Sequence, residues 1–195
     1  MRSIDPDAQF VYNENGLRIQ KTVNGVVTKY TLHGKNIVHM TQGGNELHFF
    51  YDAQNRPAVV VYNGTAYAYV KSLQGDIVAI LDENGNIVVS YGYDAWGAPL
   101  WCTGELAETL GKAQPFRYRG YVFDEETGFY YVSSRYYDPE IGRFISPDTT
   151  DVLTATPMGL TDKNLYPRGV RSGIRQLQKY NKNLGGGFNL RLELY

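Results

Sequence analysis

The chain is short of cysteine, histidine and long apolar runs, and each shortage excludes something. One cysteine, Cys102, in 195 residues rules out an internal disulfide framework. No apolar run approaches the roughly 20 residues of a helical membrane span. The three histidines, His33, His39 and His48, have no cysteine nearby and no glutamate–histidine pair at helical spacing. They read as strand-surface residues, with no metal or cofactor expected. The opening Met1-Arg2-Ser3-Ile4-Asp5-Pro6 lacks the apolar stretch of a signal peptide, so the export signal of an exported parent is expected to lie outside this chain.

What the chain has in plenty is tyrosine, 17 residues, and glycine, 21 residues. Tyrosine suits half-exposed sheets, because its ring packs while its hydroxyl stays wet. Glycine supplies the positive φ of tight hairpins. Alternation of apolar and polar residues supports the same reading. Val26–Leu32, Leu47–Asp52, Pro57–Tyr62, Thr65–Val70, Ile77–Leu81 and Ile87–Tyr93 read as strands. Short turns separate them, among them Asn63-Gly64, a type I′ hairpin signal. The expectation is a mainly β protein of roughly ten to twelve strands, with sequence neighbours paired antiparallel.

A repeat overlies the strands. Tyr12-Asn13-Glu14-Asn15-Gly16-Leu17-Arg18 returns as Tyr51-Asp52-Ala53-Gln54-Asn55-Arg56, as Tyr93-Asp94-Ala95-Trp96-Gly97, and as Tyr137-Asp138-Pro139-Glu140-Ile141-Gly142-Arg143-Phe144. A hairpin of this size cannot bury its own apolar face and must stack on its neighbours. Within each copy the acid accepts backbone N–H groups, glycine or asparagine takes the left-handed position, and arginine can reach back to the acid.

Two stretches depart from strand periodicity. Thr103–Gly111 predicts a short helix near 104–111 ending at glycine. In the tail, Val170, Ile174, Leu177 and Tyr180 share one helix face, Gly185-Gly186-Gly187 stops it, and Phe188–Tyr195 alternates as a final strand. Charge divides along the same line. Residues 1–166 carry 13 Lys/Arg against 19 Asp/Glu, whereas residues 167–195 carry six Lys/Arg and one Glu. The basic tail holds no histidine, aspartate or cysteine, and roughly 29 residues are too few for a catalytic domain, so nucleic acid is not the expected partner.

The run from Tyr93 to Asp148 carries a family resemblance. After Tyr93-Asp94-Ala95-Trp96-Gly97 come Pro115–Tyr121, Asp124-Glu125-Glu126-Thr127-Gly128-Phe129-Tyr130-Tyr131, Ser134-Arg135-Tyr136-Tyr137-Asp138-Pro139 and Gly142-Arg143-Phe144-Ile145-Ser146-Pro147-Asp148. This ordered series resembles the Rhs-associated core of bacterial Rhs/YD-repeat proteins. Val70–Val78 is similar to the repeat that precedes that core, and the Ser146–Thr149 form looks like the Gram-positive wall-associated branch. The resemblance covers about residues 10–166. It divides the chain into YD-type hairpin repeats (1–92), the core (93–166) and a basic variable tail (167–195), which would be a truncated or remnant toxin region. The tail departs from the family pattern at Pro167-Arg168-Gly169.

The resemblance implies part of a spiral β-shell that encloses a toxin, in a secreted or wall-associated bacterial competition protein. Implied partners are an upstream YD-repeat shell, the enclosed toxin and an immunity protein, and an open edge strand offers self-association. An adhesive, sugar-binding module is the alternative, because tyrosine-rich sheets can stack on sugars. A third reading is self-cleavage. Some relatives cut themselves after the core with two aspartates and an arginine. Arg135 and Asp148 match two of those positions, but Tyr136 stands where the second acid usually follows the arginine. Asp138 is the nearby substitute, and it belongs to a repeat turn. The Pro-x-Gly-Leu neighbourhood is displaced to Pro157-Met158-Gly159-Leu160. The plainer expectation for Arg135, Asp138 and Asp148 is that they pair and cap turns.

Overall fold

The computed structural model describes residues 8–133 and 135–145. Ten strands form one antiparallel sheet in simple sequence order: β1 Ala8–Tyr12, β2 Arg18–Val23, β3 Val26–His33, β4 Asn36–Gln42, β5 Asn45–Tyr51, β6 Pro57–Tyr62, β7 Thr65–Lys71, β8 Ile77–Leu81, β9 Ile87–Tyr93 and β10 Pro99–Thr103. A second antiparallel sheet holds β11 Val122–Asp124, β12 Phe129–Val132, β13 Arg135–Asp138 and β14 Arg143–Phe144. The described residues thus hold fourteen strands, more than the expected ten to twelve. The surplus comes from the core segment, whose strands are two to four residues long and too short for alternation to reveal.

The turns explain why the sheet never crosses over. At the β2–β3 and β6–β7 hairpins, Asn24 and Gly25 have φ of 49° and 80°, and Asn63 and Gly64 have φ of 49° and 87°, the paired positive values a type I′ turn requires. The longer turns use an acid or amide instead. Asp52 Oδ1 accepts the Gln54 and Arg56 N–H at 3.0 and 2.9 Å. Asp94 Oδ1 accepts those of Trp96 and Ala98 at 2.8 and 2.9 Å, and Asn13 Oδ1 does the same for Asn15 and Leu17, both at 3.0 Å. Hairpins alternate direction, so the β1–β2, β5–β6 and β9–β10 turns, all repeat copies, share one rim of the sheet, and the two Asn-Gly turns share the other.

Alternation places one face of this sheet in the core. Tyr30, Met40 and Leu47 lie side by side through the β3–β4–β5 register, and Tyr69, Ile80 and Val89 do so through β7–β8–β9. The segment after β10 covers that face. It begins with a short π-helical turn, Ala107–Gly111, within the span expected to be helical, and buries Leu110. Phe116 then meets Phe49 edge-on, with ring centroids 5.0 Å apart.

Strand β12 reveals the curvature. The Arg18 N–H at the start of β2 donates to the Tyr131 hydroxyl at 3.0 Å, while the Tyr130 hydroxyl donates to Gly97 O in the β9–β10 turn at 2.7 Å. With adjacent Cα atoms 3.8 Å apart, two extended tyrosines cannot reach points more than roughly 22 Å apart. In a flat sheet, seven strand spacings would separate those points by roughly 34 Å. The ten-stranded sheet is therefore curled around residues 105–145, and the small sheet bridges its two ends. Among the described residues no helix is long and apolar enough to cross a membrane. The tail helix and final strand expected over 167–195 lie outside the described residues.

Candidate functional site

The seam between the curled sheet and the small sheet holds the most concentrated chemistry. Strand β2 faces it with Arg18 and Lys21, both buried although charged. Strand β11 answers with Asp124, fully buried. The Arg18 guanidinium grips Asp124 with two donors, Nη1 to Oδ2 at 2.6 Å and Nη2 to Oδ1 at 3.0 Å. Lys21 Nζ donates to Asp124 Oδ1 at 3.2 Å and to both oxygens of Glu126 at 2.9 and 3.0 Å. Two cations and two carboxylates cancel, which is the condition for holding charge in a low-dielectric interior.

Aromatic rings enclose this cluster. The Arg18 guanidinium lies 4.6 Å from the Tyr131 ring centroid, 5.2 Å from that of Phe10 and 5.3 Å from that of Tyr30, as cation–π contact favours. Burial alone would raise the Asp124 pKa, but the charges of Arg18 and Lys21 outweigh it and hold the carboxyl below its ordinary value. Burial also pushes the Tyr12 hydroxyl up to about 12 and Tyr136 well above its usual range. Both hydroxyls therefore stay protonated, and they hydrogen-bond to each other at 2.7 Å.

A second buried polar knot ties the segment before β11 to β7 and β9. Gln114 is fully buried. Its Oε1 accepts from the Tyr69 hydroxyl at 3.1 Å and from the Phe116 N–H at 3.0 Å, and its Nε2 donates to the Tyr91 hydroxyl at 2.8 Å and Phe116 O at 3.0 Å. Arg117 donates to the carbonyls of Gly111, Gln114 and Phe116 while its guanidinium lies 4.3 Å from the Tyr91 ring centroid. Among the described residues no buried side-chain nitrogen or oxygen lacks a partner. Such full satisfaction fixes position.

A cavity of about 270 Å³ opens beside the seam, with Arg18, Tyr30, Tyr51, Phe116, Arg119 and Tyr131 in its wall and no carboxylate among its described lining residues. Arg18 is committed to Asp124, and the Arg119 guanidinium lies 5.3 Å from the Tyr118 ring centroid.

Of the residues considered for self-cleavage, Arg135 and Asp138 are described. Arg135 and Asp138 stand three positions apart on β13, so the pleat sends them to opposite faces. The Arg135 guanidinium lies 4.1 Å from the Phe144 ring centroid. Asp138 Oδ1 accepts the Glu140 N–H at 2.9 Å, the same turn geometry as Asp52 and Asp94, and burial raises its pKa. Asp148 lies outside the described residues. Tyr136, at the position where the resemblance expects the second acid, is the seam residue that bonds Tyr12.

Sequence reasoning missed the seam, because Arg18 and Asp124 stand 106 positions apart. One signal was present: Lys21 stands between Ile19 and Val23 on the apolar face of β2. The arginine of the repeat also proves to have no fixed partner. Arg56 reaches back to Asp52 at 3.3 Å, whereas Arg18 stands one position further on, paired with Tyr12 as Pro57 is with Tyr51, and crosses to the core.

Comparison with known proteins agrees with this architecture. Residues 37–168 match the teneurin YD-shell family model. The chain is 43% identical over 147 residues to the tRNA nuclease WapA of Bacillus subtilis (strain 168), a match covering 73% of the chain and 6% of that protein. It is 56% identical over 74 residues to the toxin protein Tse5 of Pseudomonas aeruginosa, covering 38% of the chain and 5% of Tse5. Among solved structures, the crystal structure of TcdB2-TccC3-Cdc42 superposes with a TM-score of 0.59 at 21% identity, over 73% of this chain and 8% of that one. At that identity the likeness concerns the fold. The chain spans only a small fraction of each of these relatives.

Proposed function

The chain belongs to the Rhs/YD-repeat family of YD-shell proteins, and from that premise we propose that it forms the closing section of a toxin-enclosing shell. The observation that carries this is the bridge made by β12, whose Tyr131 and Tyr130 tie the second strand and the β9–β10 turn of one sheet to the same short strand. A core segment held on both sides is suited to shutting a curled wall. Its buried groups are occupied in holding position, which fits containment rather than catalysis.

In this reading upstream YD repeats continue the wall from β1, the parent acts outside the cell that makes it, and the cargo is a toxin domain with its own immunity protein. The experiment uses the intact parent protein and added protease. The enclosed segment should resist digestion in the wild type and be cut rapidly in Asp124→Ala, where the seam opens. Equal digestion of that segment in both proteins overturns the reading.

A further inference from the structure

On the face of the sheet turned away from the core, β4 and β5 bring together three residues that the sequence scatters. His39 and His48 are direct cross-strand partners, and Glu46, two positions before His48, shares their face. His39 Nε2 stands 3.0 Å from Glu46 Oε1, and His48 Nε2 stands 3.3 Å from the same oxygen. The imidazole rings lie 4.5 Å apart at 31°. All three donor atoms fall within 4.8 Å of one another.

We infer that His39, Glu46 and His48 form a binding site for a divalent transition metal of the zinc type. With metal–ligand bonds of about 2.0–2.1 Å, a tetrahedral ion separates its donors by roughly 3.4 Å, and two of the three separations are already close to that. Both histidines aim the same ring nitrogen at the common point. The other nitrogen of His39, Nδ1, lies 3.5 Å from Thr31 Oγ1 on β3, where the hydroxyl oxygen can accept a hydrogen bond from Nδ1–H and leave Nε2 as the ligand. The side chains are 28%, 58% and 47% exposed for His39, Glu46 and His48, so water can fill the fourth position. Two imidazoles and one carboxylate suit zinc, copper or nickel, whereas calcium and magnesium require oxygen cages. The bound ion would staple β4 to β5 from outside, independently of what the shell contains. No catalysis is assigned to it.

The sequence makes the test clean. Its third histidine, His33, ends β3 opposite Asn36 and is not in the trio, which makes it the control. Calorimetric titration of zinc chloride into the full chain, in a Cys102→Ser background to remove the exposed thiol, should show one ion per chain. His39→Ala, His48→Ala and Glu46→Gln should each weaken binding by at least about tenfold, while His33→Ala binds as the parent does and magnesium gives no heat. All three changes lie on an exposed face, and circular dichroism checks that each variant folds. The proposal is overturned by the absence of saturable binding below about 1 mM zinc, or by affinities that the three variants leave unchanged. It is equally overturned if Glu46→Gln lowers the thermal midpoint while zinc has no effect, since the trio is then an ion pair only.

Discussion

The two sheets are built on different physics. The large sheet is local: each strand pairs with the next, and the turns led by Asn13, Asp52 and Asp94 satisfy their backbone within five residues. The small sheet depends on contacts more than a hundred positions away, such as Arg18 with Asp124 and Tyr12 with Tyr136. A local sheet built from repeats can lose one turn and keep the rest. A joint made of a few buried charges has no spare copy. The comparison teaches that repetition makes the wall, and single residues decide how it closes.

The sharpest way to break this contrast is Asp124→Ala. It strands Arg18 in the seam, while Lys21 keeps Glu126, and removing one partner of a buried ion pair costs about 3–5 kcal/mol. Denaturant unfolding should show that loss. A variant replacing Arg18, Lys21 and Asp124 together with apolar residues of similar volume should recover much of it. If the single and triple variants are equally destabilised, the seam is held by packing and the ion cluster contributes little.

Next in size is Gly104→Ala. Gly104 has φ of +119°, and an added Cβ would come within 2.4 Å of Val88 O. Strain of this kind costs about 1–3 kcal/mol, and calorimetry should register a lower melting temperature. Smaller still is Asp94→Ala, which removes two turn hydrogen bonds worth about 0.5–1.5 kcal/mol each. Its effect should stay in the β9–β10 hairpin and the tyrosines that bond its turn, Tyr118, Tyr130 and Tyr137, with hydrogen exchange elsewhere unchanged. Spread of the effect into β1–β3 would erase the distinction between wall and seam.

Acid should act on the seam as well. Asp124 has its pKa lowered from 3.8, so its contribution is fully present above that value. It is lost as pH falls through the depressed folded pKa. Stability should therefore decline below about pH 4, and less steeply in Asp124→Asn than in the wild type. The smallest expected effect concerns self-cleavage. Intact mass should be that of an uncut chain for the wild type and for Asp148→Asn alike, and a break confined to the wild type would return Arg135, Asp138 and Asp148 to candidacy.

Much of the wall was legible in advance. Asn63-Gly64, the Tyr-Asp copies and the alternating runs predict hairpins that the structure forms, because turn chemistry and pleat act over a few residues. The family was legible too, from the ordered motifs between Tyr93 and Asp148. The seam was not. Arg18 looked like one more turn arginine, and Tyr136 looked like a missing acid. The histidines read as strand-surface residues with no ligand set, because nothing in a linear spacing of six and nine tells which two will face each other across a hairpin.

By itself, then, the sequence determined the antiparallel order, the two kinds of turn and the face that goes inward. Those depend on φ preferences and on alternation within a strand. Only the tertiary structure decided which buried charge meets which, how far the sheet curls and which surface side chains converge. Those depend on the path of the whole chain, which brings residues over a hundred positions apart into a dry interior where a charge must find its opposite.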